Sequence, residues 1–107
     1  MDMTHPEPDE IRLERILHAL SDELRLSIVR QLARNGPASC AALDHGRAKS
    51  TMSHHFRVLR EAGVVRTRAE GVTHLNELRQ AELDRRFPGL LLAILSEPVP
   101  PLADRDA

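Results

Sequence analysis

The sequence predicts a mainly α-helical domain that carries one small β-hairpin. Three observations point there. The chain has no Trp or Tyr and only two Phe, Phe56 and Phe87, so its core must be built from Leu, Ile, Val and Ala, which suits helices. Apolar residues recur at helical spacings through most of the first 62 positions. Two short β-branched runs then flank a glycine between positions 64 and 76. The 107 residues, 41% apolar and 29% charged, fit one ordinary globular domain, with 11–96 as its folded part, 1–10 as a flexible start and 97–107 as a disordered tail.

Pro6 and Pro8 punctuate the start, after which Ile11, Leu13, Ile16, Leu17 and Leu20 recur as on one broad helix face. Ser21 is placed to cap a second helix, from Asp22 to about Arg34, with Asp22 and Glu23 at the positive end of its dipole. Leu24, Ile28 and Leu32 form its apolar stripe, widened by Leu26 and Val29, until Asn35-Gly36-Pro37 stops it. Ser39 is expected to cap a two-turn third helix through Cys40, Ala41, Ala42 and Leu43, closed by Gly46. In the next helix, Lys49 to Ala62, the residues Met52, Phe56 and Leu59 align on one face, while Ser50, Thr51, Ser53, His54 and Arg57 fall on others. Gly63 is its natural terminator.

Val64 to Arg68 and Val72 to Asn76 read as two strands joined by a turn at Ala69-Glu70-Gly71. Ala81 to Arg86 reads as a helical turn or two. Pro88 suits the first position of a last helix through Leu90, Leu91, Leu92, Ile94 and Leu95. That helix is apolar nearly all round, which a chain this small covers best by dimerising.

The single cysteine and the acidic, unsegmented start point to the cytoplasm, and the apolar run around Leu90 to Leu95 is too short to span a membrane. The net charge is only −1, but it is unevenly distributed. Residues 1–23 hold seven acids against two bases, a net of −5, whereas residues 47–68 hold six bases against Glu61, a net of +5. A local basic face is sufficient for phosphate binding.

A two-turn helix, a short turn and an amphipathic helix with a Ser, Thr, His and Arg face make a helix-turn-helix, and the hairpin adds a wing. Ser50, Thr51, Ser53 and His54 are candidates to reach base edges in the major groove of double-stranded DNA. Arg47, Lys49 and Arg57 can meet phosphates, and Arg66 and Arg68 approach the hairpin tip, where a wing can touch DNA.

The segments Leu20 to Val29 and Lys49 to Val65 resemble the ArsR family of bacterial repressors, over about residues 11–79. The resemblance implies a winged helix-turn-helix, an obligate homodimer dimerising through its first and last helices, and an inverted-repeat operator released by a signal. The interface would draw on Ile11, Leu13, Ile16, Leu17, Leu90, Leu91, Ile94 and Leu95. Many members sense metals through paired cysteines in the third helix or Asp and His ligands on the last. Neither set is present here, so no metal or cofactor is expected, and the inducer would be a small molecule or a redox signal. A capping Ser or Thr is also missing before the recognition helix, where Ala48 stands. With that gap, the helix could start later, with Ser50 as its cap.

Other readings stand beside these. His54 and His55 diverge on a helix too far to share an ion easily, and His55 is expected to pack inward. Cys40 is either a sensor or a small buried hydrophobe. Arg85 and Arg86 read as solvated surface. The winged helix could also serve as a protein-interaction module without DNA readout. An enzyme is disfavoured, since no nucleophile with a base, Gly-rich phosphate loop or carboxylate pair is recognisable.

Overall fold

The computed structural model describes residues 4–98. The expected flexible start and disordered tail fall partly on residues 1–3 and 99–107, which lie outside the described residues. A 3-10 turn, Pro8–Glu10, leads into α1 (Leu13–Ala19) and α2 (Glu23–Asn35). Strand β1 (Ala38–Ser39), a second 3-10 turn (Ala41–Leu43), α3 (Lys49–Glu61), β2 (Val65–Glu70), β3 (Thr73–Leu78), α4 (Gln80–Arg86) and α5 (Leu90–Leu95) follow. No helix among the described residues is long and apolar enough to cross a membrane.

The core is aliphatic. Ile16 and Ala19 of α1, Ile28, Val29 and Leu32 of α2, Met52, Phe56 and Leu59 of α3 and Val64 and Val65 at the foot of the wing close into one cluster with Leu83 and Leu91. Helix α3 lies at its centre, packed on α1, α2 and β2. The sheet is antiparallel in the order β1-β3-β2. Val65 faces Leu78, Thr67 faces Asn76 and Glu70 faces Thr73, while Ala38 pairs with Asn76 on the other side of β3.

Several local expectations need correction. Asp22, not Ser21, caps α2: its Oδ2 accepts the Arg25 N–H at 3.0 Å, and the Ser21 hydroxyl instead donates to the His18 carbonyl. Ser39 does accept the Ala42 N–H at 3.2 Å, but the element it caps is one 3-10 turn, and Cys40 lies just before it. His45 at φ +51° and Gly46 at φ +78° leave the helical region and keep the element to that single turn. Strand β2 runs two residues further toward the tip than its β-branched content indicates, and β3 two residues further from it, to Leu78. Backbone pairing carries on through Ala69 and Glu70, leaving Gly71 (φ +64°) and Val72 as a two-residue loop.

Pro88 is not the first residue of α5. Phe87 to Leu90 form a type II turn, with Pro88 second, Gly89 third at φ +84°, ψ −14°, and the Leu90 N–H donating to the Phe87 carbonyl at 3.1 Å. Proline presets the second position of such a turn and glycine supplies the positive φ of the third.

Residues 5–11 lie against the wing and α4. The Thr67 N–H, on the edge strand β2, donates to His5 Nε2 at 3.0 Å. Arg86 donates to the carbonyls of Pro8 (2.9 Å) and Ile11, so it is not merely solvated surface. Ile11 is buried against Gly63.

Candidate nucleic-acid interface

Helix α3 has two faces with different chemistry. Met52, Phe56 and Leu59 are buried, and Lys49, Ser50, Thr51, Ser53, His54 and Arg57 are exposed. This division follows from 3.6-residue periodicity: once the apolar stripe docks on α1 and α2, the polar positions turn outward. The helix begins at Lys49 with Ala48 at the N-cap position and no side chain capping it. Ser50 is therefore inside the first turn, and its side chain is exposed rather than capping.

At the other end, the Gly63 N–H donates to the Arg60 carbonyl and the Val64 N–H to the Leu59 carbonyl, a Schellman closure that turns the chain into the wing. Gly63 takes φ +83° to make it. Gly63 thus makes the turn that carries the chain from α3 into the wing.

The candidate cations differ in their surroundings. Lys49 and Arg57 have no acidic partner among the described residues. Arg47 is half-buried, and its Nη1 donates to the His45 carbonyl. Arg68 lies midway along β2, with Glu70 at 3.4 Å and Glu77 at 3.3 Å. Such exposed pairs contribute little, about 0–1 kcal/mol, and can exchange for a phosphate. Arg66 is opposite Glu77, near the base of the hairpin rather than its tip. It pairs with Glu82, which also takes Arg79 Nε at 2.7 Å. The hydrogen bond from Arg79 is the main cause holding the Glu82 carboxyl down to about 2. Val72, in the two-residue loop, is fully exposed.

Of the apolar positions tied to dimerisation, Ile11, Ile16 and Leu91 are buried in this chain's own core and offer no accessible surface. Leu13 and Leu17 on α1 are about half exposed, at 42% and 49%. Leu90, Ile94 and Leu95 are half-buried. Leu92, which was not among the expected positions, is 71% exposed.

His55 lies on the inner side of α3. Its Nδ1 accepts a hydrogen bond from Arg25 Nη1 at 3.1 Å and is 3.9 Å from Asp22 Oδ2. A guanidinium can only donate, so Nδ1 must be the acceptor and the ring proton is on Nε2. Burial is the first cause lowering the His55 pKa. The Asp22 charge opposes it, and Arg25, His54 and Arg47 reinforce it. His5 is lowered likewise, by burial and then by Arg66, Arg79 and Arg60. His54 and His55 are tilted by 56° with ring centroids 5.6 Å apart, and no three His, Cys, Asp or Glu side chains converge as metal ligands among the described residues.

Two histidines held neutral in the fold have a consequence for stability. The unfolded chain protonates them near the ordinary value of 6.5, the folded chain only at lower pH. Their stabilisation is complete above 6.5 and declines as pH falls below it. Glu82 does not contribute to this decline, because its stabilisation is full above 4.5 and is lost only as pH falls from there toward 2. Thermal melts between pH 8 and pH 5 should show Tm constant at first and falling below about 6.5; a flat profile to pH 5 would contradict this.

Sequence reasoning missed Arg25, Thr67 and Asn76. All three are buried and polar, and composition treats such residues as surface. For Arg25 a signal existed: it precedes Ile28, Val29 and Leu32 by three, four and seven positions, which places it on the apolar stripe of α2. Cys40 is half-buried and receives a hydrogen bond on Sγ from Asn76 Nδ2 at 3.3 Å.

Residues 20–68 match a helix-turn-helix domain profile. A Bacillus subtilis protein described as an uncharacterised HTH-type transcriptional regulator, YceK, is 38% identical over 92 residues, covering 83% of this chain and 92% of that protein. The arsenical resistance operon repressor of Staphylococcus aureus is 37% identical over 73 residues, covering 67% of this chain and 70% of its own length. Among solved structures, the transcriptional repressor BigR from Xylella fastidiosa matches with a TM-score of 0.58 at 30% identity, over 70% of this chain and 85% of that one. An ArsR family transcriptional regulator matches with a TM-score of 0.62 at 25% identity, over 68% and 81%.

Proposed function

The chain belongs to the ArsR family of winged helix-turn-helix transcriptional regulators, and on that premise we propose that it is a homodimeric repressor that reads a palindromic operator with α3. The observation that carries this reading is the outer face of α3. Ser50, Thr51, Ser53 and His54 are exposed together on its N-terminal half, flanked by Lys49 and Arg57, which have no acidic partner among the described residues. Hydroxyls and an imidazole there can reach base edges, and the cations position the helix on phosphates. Ala48 leaves the first-turn N–H groups without a side-chain cap, so they can donate to a phosphate. Arg47 and Arg68 extend the basic surface on either side. Arg66, paired with Glu82, braces the wing foot on α4.

Dimerisation would cover Leu13, Leu17 and Leu92, with Leu90, Ile94 and Leu95 at the margins. Two-fold symmetry would place two copies of α3 about one DNA turn apart. The protein would act in the cytoplasm. Its inducer would be a small molecule or a redox signal; the similarity to an arsenical resistance repressor favours a thiophilic one, with Cys40 as its contact. The hydrogen bond from Asn76 and the half-buried position favour the alternative, in which Cys40 packs the turn before α3.

A fluorescence titration against the DNA upstream of its own coding sequence, repeated over a salt series, tests the proposal. Arg57→Ala should weaken binding to all duplexes alike and reduce the salt slope by about 2 for a dimer, one phosphate per protomer. Ser50→Ala with Thr51→Ala should instead cost about 1–3 kcal/mol of discrimination between operator and scrambled DNA. Wild-type affinity indifferent to both sequence and salt would overturn the reading.

A further inference from the structure

We propose that Arg25 is a positioning residue for the recognition helix, its buried guanidinium joining the end of α1 to His55 and so fixing how α3 is presented to DNA. The proposal rests on the DNA-binding reading above and deepens it.

The geometry is specific. Arg25 is 7% exposed. Its Nε donates to the Ala19 carbonyl at 2.7 Å and its Nη2 to the His18 carbonyl at 3.4 Å, both at the negative end of α1. Its Nη1 donates to His55 Nδ1, and its backbone N–H is held by Asp22, the residue that caps α2. One side chain therefore ties three helices together. His55 is the only partner it has on α3 among the described residues, and it lies between the reading residues Ser53 and His54 and the phosphate-facing Arg57. A planar fork with several donors in fixed directions sets an angle between elements, which apolar packing alone leaves free to slide. Lysine retains the charge but cannot serve three acceptors spread across two helices.

The link holds only while His55 is neutral. A proton on Nδ1 would face the guanidinium, leaving Asp22, 3.9 Å away, as its new partner. The charged and titratable groups around the ring are Asp22 and Arg25 from α2, His54 on α3 itself and Arg47 from the loop before it. Three of these four disfavour a second positive charge when charged themselves. Acid should accordingly loosen α3 from α1 and α2.

The test compares wild type, Arg25→Lys and His55→Gln by two readouts, one of them independent of DNA. Glutamine can accept from Arg25 through its carbonyl oxygen and does not titrate. In anisotropy titrations with the upstream duplex, Arg25→Lys should lose about tenfold in affinity with an unchanged salt slope, since no phosphate contact is removed. Between pH 7.5 and pH 5.5, His55→Gln should lose less affinity than wild type does. In NMR spectra without DNA, His55 Nδ1 should be unprotonated at pH 7.5, and Arg25→Lys should raise the ring's titration midpoint and shift the α3 amides. A His55 that titrates identically in wild type and Arg25→Lys overturns the proposal, whatever the DNA result. If wild type binds no duplex, the DNA-binding reading fails and the NMR result still decides the helix link. If Arg25→Lys does not fold, the pH profile of His55→Gln decides, and a profile like that of wild type rejects the proposal.

Discussion

Gly63→Ala should destabilise the domain by about 2–5 kcal/mol, with two separable causes. The first is conformational. Gly63 takes φ +83°, where an L side chain costs about 1–2 kcal/mol. The second is steric. A Cβ at this position would lie 2.6 Å from Ile11 Cγ1 and 2.8 Å from its Cδ1. Ile11 cannot swing away, because it is buried and its carbonyl is held by Arg86. Overfilling so tight a site costs about 1–3 kcal/mol. Urea unfolding of Gly63→Ala, of Ile11→Val and of the double variant separates the two. The double variant should regain part of the steric loss and none of the conformational loss. A single-variant change below about 1 kcal/mol would show that the α3-to-wing turn tolerates another geometry.

The legible parts of this fold were those where side-chain chemistry and backbone geometry agree. Helix α3 is the clearest case. Its stripe of Met52, Phe56 and Leu59, its polar outer face and the terminating Gly63 were all apparent from spacing, because burial of one face forces the other outward. Less legible were features held by one or two residues. Strand β1 has only Ala38 and Ser39, too short for any period. Pro88 before an apolar run suits a helix start, but Pro-Gly more strongly specifies a turn. Buried polar residues were the hardest. Asn76 and Thr67 occupy strand positions that look solvent-facing by composition, and their burial follows from being paired with one another. The candidate DNA face could be read because its residues are exposed and simple; the groups that orient it, Arg25 and His55, act through contacts 30 positions apart in the chain.

Asn76→Ala should cost about 2–4 kcal/mol, out of proportion to the few atoms removed, because it strands partners on both neighbouring strands. Asn76 is fully buried. Its Oδ1 accepts the Thr67 hydroxyl at 2.7 Å on the β2 side, and its Nδ2 donates to the Ala38 carbonyl and to Cys40 Sγ, both at 3.3 Å, on the β1 side. Removal leaves the buried Thr67 hydroxyl and the half-buried Ala38 carbonyl without that partner. The expected consequence is structural as well as energetic. Asn76 joins the wing to the segment bearing Cys40 and the Ala41–Leu43 turn, which braces the loop into α3. Thr67→Val alone should also destabilise, since it leaves Asn76 Oδ1 unpaired. The double variant should be less damaged than the sum of the singles by about 1 kcal/mol or more, because neither stranded group of the Thr67-Asn76 pair then remains. Chemical denaturation of the four proteins closes the cycle. Strict additivity would show that Asn76 acts only through Ala38 and Cys40. Coupling would show that β2 and β1 are held in register through this one side chain, so that loosening it exposes Cys40 and tilts the wing together.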